Sequence, residues 1–268
     1  MRETAYAKLN LALHLRQRRE DGYHELETLF AFCEHGDELT ATPAERDEVR
    51  TLGEFADVVG NPADNLVARA LVALPHPDAL TITLEKALPV AAGLGGGSAD
   101  AGAVFRLVER LHDLPDDWQD RALQLGADVP ACVRSEMAVG RGVGEELAPL
   151  VNDLAGTPVL LVNPRVPLST GPVFKAWDQA DCGPLPEGTA REIALNGRND
   201  LEAPAISICP PIAEVLRELG DTSPLLARMS GSGATCFALY EDLELRDAAE
   251  RQIAQTQPGW WRMASVLR

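Results

Sequence analysis

No stretch of this sequence approaches the ~20 consecutive apolar residues of a membrane-spanning helix, and Arg2, Glu3 and Lys8 break the segment where a secretory leader would need its apolar core. A soluble, cytoplasmic protein without a membrane partner is expected. Positive charge is scarce as well. Lys and Arg number 24 against 41 Asp and Glu, for a formal net charge of −17. That balance argues against a broad surface for nucleic acid or anionic lipid. An anionic small molecule would have to be held by backbone N–H groups and a few placed cations. The five cysteines, at 33, 132, 182, 209 and 236, form no Cys-x-x-Cys pair and lie near no histidine cluster, which argues against a zinc site or a disulfide framework. No metal ligands are legible, and there is neither an internal repeat nor a low-complexity tract.

What is present is ordinary globular composition: 268 residues, 46% apolar and 24% charged, enough for one large domain or two modest ones. From Thr4 to Leu15 the residues alternate. Ala5, Ala7, Leu9, Leu11, Leu13 and Leu15 point one way, and Thr4, Tyr6, Lys8, Asn10 and His14 the other, as in a half-buried strand. Leu26–Cys33 and Glu38–Thr42 read as two further strands separated by a turn at 34–37. A helix over Asp64–Leu74 is capped by Asp64 or Asn65 and stopped by Pro75, and a strand at Leu80–Lys86 leads into a glycine-rich loop. Helices follow at Ser98–His112 and Asp116–Leu125, the second ending at Gly126, with strands around Met137–Arg141 and Val159–Val162. Further on, helices are expected from Ser169 or Thr170, from Asn199 with Glu202 as capping-box partner, and over Pro211–Leu219. Strands at Leu225–Met229 and Thr235–Tyr240, a helix near Leu243–Ala254 and a strand at Arg262–Leu267 complete the chain. Mixed elements without regular βα alternation predict an α+β fold in two domains, 1–160 and 161–268.

The segment Pro89–Gly102, Pro-Val-Ala-Ala-Gly-Leu-Gly-Gly-Gly-Ser-Ala-Asp-Ala-Gly, carries the most chemistry. It lacks the lysine of a P-loop, and Ser98 stands where a dinucleotide fingerprint needs glycine or alanine. What remains is a loop with Gly93, Gly95, Gly96 and Gly97 delivered by a strand onto a helix N-terminus, where unpaired N–H groups and the helix dipole favour an anion such as polyphosphate. A flexible loop capped by Ser98 would look the same. Asp100, in the first helical turn, suits either a helix start or catalysis.

Ala-Gly-Leu-Gly-Gly-Gly-Ser-Ala-Asp-Ala resembles the ATP-binding motif of the GHMP kinases, the superfamily of galactokinase and of homoserine, mevalonate and phosphomevalonate kinases. Ala-Lys-Leu-Asn-Leu at 7–11, Asp-Gly-Tyr-His-Glu-Leu at 21–26, Gly-Ala-Asp-Val-Pro at 126–130, Asn-Asp-Leu-Glu at 199–202 and Ser-Gly-Ser-Gly-Ala-Thr-Cys-Phe at 230–237 resemble its diphosphocytidyl-methylerythritol branch, nearly end to end. The resemblance implies a ribosomal protein S5 domain 2-like first domain and a ferredoxin-like second domain, with ATP in the cleft. It implies ATP as cosubstrate and cytidine-diphosphate methylerythritol as acceptor; magnesium follows from phosphoryl-transfer chemistry.

By periodicity alone Lys8 is a solvated surface lysine, and Asp128, between a helix-ending glycine and Val129-Pro130, is a turn residue. The resemblance makes Lys8 catalytic and Asp128 the general base toward the substrate hydroxyl. It assigns the nucleotide to Pro89, Val90, Ala91, Ala92, Gly93, Leu94, Gly95, Gly96, Gly97, Ser98 and Ala99. It assigns the acceptor to Tyr23, His24 and Phe174, with the tyrosine and phenylalanine stacking and the histidine bonding the pyrimidine edge; Asn10, on the same strand face as Lys8, could bond the substrate or the partner of Lys8. Asp21-Gly22 alone reads as a turn feeding a strand, a helix-borne phenylalanine is commonly core, and Ser230–Gly233 alone reads as a plain hairpin loop, where the resemblance implies backbone N–H groups that approach a phosphate or brace the glycine loop. The chain departs from the family pattern at Tyr6, where proline is frequent, at Ala99, where a second serine is common, and at Ala131-Cys132, which replace an aromatic pair. Another GHMP kinase acting on homoserine or a mevalonate-type alcohol is disfavoured by Tyr23-His24. A silent nucleotide-binding descendant would need neither Lys8 nor Asp128.

Overall fold

A computed structural model describes residues 1–58 and 65–268. The chain resolves into two compact units, each formed from separated segments. The first comprises Met1–Lys8, His35–Val90 and Gly95–Ser135; the second comprises Leu9–Glu34, Ala91–Leu94 and Glu136–Arg268.

The first strand, β1 (Arg2–Arg18), and the second, β2 (His24–Pro43), each contribute one end to the first unit. There they pair, with main-chain bonds exchanged between Met1 and Ala41. β3 (Glu48–Leu52), α1 (Leu66–Ala73) and β4 (Leu80–Glu85) follow, β4 running antiparallel to β2 (Leu39 opposite Leu84) and parallel to β3 (Val49 opposite Ile82). Parallel neighbours need a crossover, which α1 supplies. Asn65 caps α1 by accepting from the Val67 N–H; the alternative cap, Asp64, lies outside the described residues. α2 (Gly96–His112), α3 (Trp118–Leu125) and α4 (Val129–Arg134) complete the unit. α2 buries nearly every residue from Ala99 to Val108, and Phe105 is fully inside. Gly102 has no side chain because a Cβ there would lie 2.5 Å from the Cys132 carbonyl oxygen, so α2 and α4 touch backbone to backbone. The small pair Ala131-Cys132, both buried, permits that approach.

The second unit holds β5 (Ala138–Arg141) and β6 (Glu146–Pro149), a ladder that continues onto β2 at Thr28–Phe30. It continues with β7 (Pro158–Asn163), α5 (Thr170–Lys175), α6 (Ala190–Asn196), α7 (Glu202–Ile208), α8 (Pro211–Gly220), β8 (Leu226–Met229), β9 (Cys236–Leu239), α9 (Leu243–Thr256) and β10 (Trp261–Val266). Strands β7 to β10 form an antiparallel sheet ordered β10-β7-β9-β8, with α8 and α9 packed on it, the arrangement of a ferredoxin-like unit. Its core includes Leu160, Val162, Ile212, Val215, Leu219 and Tyr240. The α+β expectation is met. Among the described residues no helix is long and apolar enough to cross a membrane.

Several local expectations are corrected. β1 is buried on both faces from Ala7 to Leu15, not on one, because Lys8, Asn10 and His14 find polar partners inside. The turn at 34–37 is absent: β2 passes straight through it. Gly36 serves strand approach instead, since a Cβ there would fall 1.9 Å from the Ala5 carbonyl oxygen. α2 begins at Gly96, two residues before Ser98, which caps nothing; the N-cap is Gly95. No capping box forms at Asn199. Glu202 accepts from the Met229 N–H instead, and the capping box of this unit is Thr189 with Glu192. β3, β6, α4 and α6 escaped the sequence reading, being short and without clear periodicity.

Candidate active site

Two groups of side chains, one in each unit, answer to the sequence-predicted residues. In the first unit, burial of both faces of β1 places Lys8 inside, where its side chain is 5% exposed and its Nζ lies 3.1 Å from Asp128 Oδ2. A buried ammonium needs a counter-charge, and Asp128 supplies it. Asp128 is itself the N-cap residue of α4 and makes no side-chain capping bond. At 34% side-chain exposure it remains open to a substrate group.

Gly95 seats this pair against the glycine loop. It is left-handed (φ +60°), and a Cβ on it would stand 2.9 Å from Lys8 Cε and 3.8 Å from Asp128 Oδ2. The next residues, Gly96, Gly97 and Ser98, form the first turn of α2 with no side chain capping their N–H groups. A first turn of this kind offers an anion its donors and the positive end of the helix dipole.

Arg106 of α2 aligns the parts. Its guanidinium donates to the Thr4 carbonyl (2.7 Å) and Glu3 (2.8 Å) on the Lys8 strand, and to the Cys132 carbonyl (2.6 Å) and Ser135 Oγ (3.0 Å) at the end of the Asp128 helix. It also lies 5.3 Å from the centre of the Tyr6 ring, which gives that unusual tyrosine a partner.

The second unit holds the start of the glycine loop. Gly93 (φ +76°) runs so close to the loop 230–235 that a Cβ would meet the Ser230 carbonyl oxygen at 2.2 Å. Ser230 Oγ donates to the Gly93 carbonyl at 2.9 Å, and the Thr235 N–H donates to Ala92 O at 3.1 Å. Ser230–Gly233 is therefore a brace, as its small residues allowed. Asn199 holds the brace in turn, donating to Met229 O and Gly231 O, both at 2.8 Å. Asn10 is buried, its amide N–H donating to Ser230 Oγ (3.2 Å) and its carboxamide to Thr28 Oγ1 (2.8 Å).

His24 and Phe174 also come together, ring centres 5.0 Å apart and tilted by 46°. Trp177, absent from the sequence reading, meets His24 in a T-shaped contact, ring centres 5.8 Å apart. Partial burial and then the charge of Arg18 lower the His24 pKa, so the ring is neutral at pH 7 and has both a donor and an acceptor. Tyr23 is 61% exposed, its N–H bound to Asp21 Oδ1. Sequence reading also missed Lys86 and Asp37. A lysine ending a strand and an aspartate in an apparent turn give no signal until the fold buries them.

Fold and site together define a small-molecule kinase of the GHMP class. The model "GHMP kinases N terminal domain" matches residues 65–136, and "GHMP kinases C terminal" matches 186–259. The chain is 66% identical to the 4-diphosphocytidyl-2-C-methyl-D-erythritol kinase of Erythrobacter litoralis, over 99% of both chains. It is 64% identical to that of Novosphingobium aromaticivorans, over 100% of this chain and 93% of the relative. A crystal structure of 4-(cytidine 5'-diphospho)-2C-methyl-D-erythritol kinase superposes with a TM-score of 0.84 at 34% identity, covering 100% of this chain and 99% of the other. Homoserine kinase from Cytophaga hutchinsonii, at 16% identity and a TM-score of 0.67 over 98% of this chain and 96% of its own, shares the fold. The chain belongs to the 4-diphosphocytidyl-2-C-methyl-D-erythritol kinase family.

Proposed function

We propose that this chain transfers the γ-phosphoryl group of ATP to the 2-hydroxyl of 4-diphosphocytidyl-2-C-methyl-D-erythritol, giving the 2-phosphate and ADP, a step of the non-mevalonate route to isoprenoid precursors. Its relatives' names supply the substrate. The observation that carries the chemistry is the 3.1 Å contact between Lys8 and the half-exposed Asp128 beside the glycine end of α2.

Asp128 takes the proton of the substrate hydroxyl as that oxygen attacks the γ-phosphorus, and Lys8 stabilises the anionic oxygens that develop. The Pro89–Ala99 segment holds ATP, with the N–H groups of Gly96, Gly97 and Ser98 turned to its phosphates. His24 and Phe174 take the cytosine, one by hydrogen bonds to its edge and the other by its face, with Tyr23 flanking and Asn10 contributing to acceptor binding. In this reading residues 1–160 form the nucleotide-binding domain and 161–268 the second domain. Magnesium belongs to the proposal as Mg-ATP. No group of three or more His, Cys, Asp or Glu among the described residues is placed to hold a metal, so no residue here is assigned to it and no step depends on it. Such a mode suits an ion bound chiefly through phosphates and water.

The test is ADP release by the purified protein with Mg-ATP and, in parallel, the cytidyl acceptor, homoserine and mevalonate. ADP dependent on the cytidyl acceptor alone supports the reading. Turnover with another alcohol alone replaces the substrate.

A further inference from the structure

Behind the glycine end of α2 lies a buried cluster that the phosphoryl transfer described above does not use. Lys86 follows β4, Asp37 is on β2 and Asp100 is on α2, and all three are at most 3% exposed. Lys86 Nζ donates to Asp37 Oδ2 and, at 2.8 Å, to Asp100 Oδ2. Asp37 is fully engaged, its Oδ1 accepting from the N–H groups of Ala87 (2.6 Å) and Leu88 (2.8 Å). Asp100 Oδ1 is buried and has no hydrogen-bond partner among the described residues. Its one loose end faces a cluster that already has more acid than base.

Two carboxylates share one ammonium, so full ionisation leaves a net negative charge out of contact with water, a costly state. Burial pushes Asp100 up, Lys86 pulls it back and Asp37 pushes it again, leaving it at about 7. Beside it on α4 is the Cys132 thiol, which burial keeps neutral, and the Lys8–Asp128 pair stands by Gly95. A Cβ on Gly96 would lie 3.2 Å from Lys86 Nζ and 3.9 Å from Asp37 Oδ2. The cluster therefore sits immediately behind the N–H groups assigned to the phosphates.

We propose that Asp100 is a positioning residue whose carboxyl takes up a proton from solvent when a polyphosphate binds at Gly95–Ser98, so that nucleotide binding and protonation are linked. The inference rests on the ATP reading above. The added proton goes to the Asp100 carboxyl, Lys86 and Asp37 stay ionised, and the cluster becomes neutral. An arriving anion disfavours the ionised carboxylate beside it, and by reciprocity the neutral carboxyl strengthens anion binding.

Calorimetric titration with Mg-ADP in buffers of different ionisation enthalpy, near pH 7.5, reads the proton directly. Titration of ADP itself is common to the wild type and Asp100→Asn and cancels between them. The wild type is expected to take up a few tenths of a proton more than the variant. Its Kd should weaken with rising pH by at most about tenfold per unit, against a flatter profile in Asp100→Asn. Equal uptake in the two proteins overturns the proposal; a purely structural Asp100 would change thermal stability and leave uptake unmoved. Should the variant fail to fold, a wild-type Kd that stays constant from about pH 6.5 to 8.5 overturns it without the variant. Failure of the folded wild type to bind nucleotide at any pH sinks the ATP reading instead, a distinct result.

Discussion

Gly95 packs directly against the Lys8 side chain: the methyl of an alanine at 95 would lie 2.9 Å from Lys8 Cε and 3.3 Å from its Cβ, closer than either can remain. Gly95→Ala therefore incurs both a left-handed strain and a collision, together about 1–3 kcal/mol of stability. Displacing Lys8 from Asp128 should also lower turnover by roughly tenfold to a hundredfold. Gly171, in α5 with negative φ and no atom within 4 Å of its would-be Cβ, is the control, and Gly171→Ala should leave turnover unchanged and stability unchanged or raised by up to about 1 kcal/mol.

Asp128→Asn keeps the shape of the side chain and removes the base. Turnover should fall roughly 10²- to 10⁴-fold while ATP affinity holds. ADP release beside a nucleotide titration measures both, and near-normal turnover would remove Asp128 from the mechanism.

Phe174→Ala is expected to raise KM for the cytidyl acceptor by roughly ten- to a hundredfold, the worth of one base stacked on an aromatic ring, with KM for ATP unmoved. Equal rises in both KM values would show that Phe174 serves the core of its unit, where it also packs.

Asn199→Ala strips partners from the Met229 and Gly231 carbonyls and the Leu201 N–H in a buried setting. A loss of about 2–4 kcal/mol in denaturant unfolding is expected. A loss below about 0.5 kcal/mol would mean that water replaces the carboxamide.

His14 accepts the Arg198 N–H on Nε2, so its proton is on Nδ1, directed at the Pro184 carbonyl 2.9 Å away. Burial, then the charge of Arg198, lowers its pKa from 6.5, with the Gly183 carbonyl and then Asp200 opposing. The unfolded chain therefore binds the proton more readily. The contribution of His14 is complete above about pH 6.5 and is lost as pH falls through the lower folded value. Denaturant unfolding at several pH values should show a steeper acid loss in the wild type than in His14→Gln, and parallel profiles would refute the assignment.

The sequence by itself determined the alternation of β1, the strand-loop-helix order around the glycines, the apolar face of α2 and the motifs that mark the family. All of these are local: strand and helix periods, and glycines whose backbone freedom is a property of the residue. Tertiary structure alone decided that Lys8 meets Asp128 across 120 positions of chain, that Asn199 secures the Ser230 loop rather than starting a helix, and that His24 gains Trp177 beside Phe174. It also decided that Asp37, which reads as a turn residue, is buried against Lys86 together with Asp100. Burial and long-range pairing set the partner and the charge state of a polar side chain. Both depend on which distant segments the fold packs together, which no local pattern specifies.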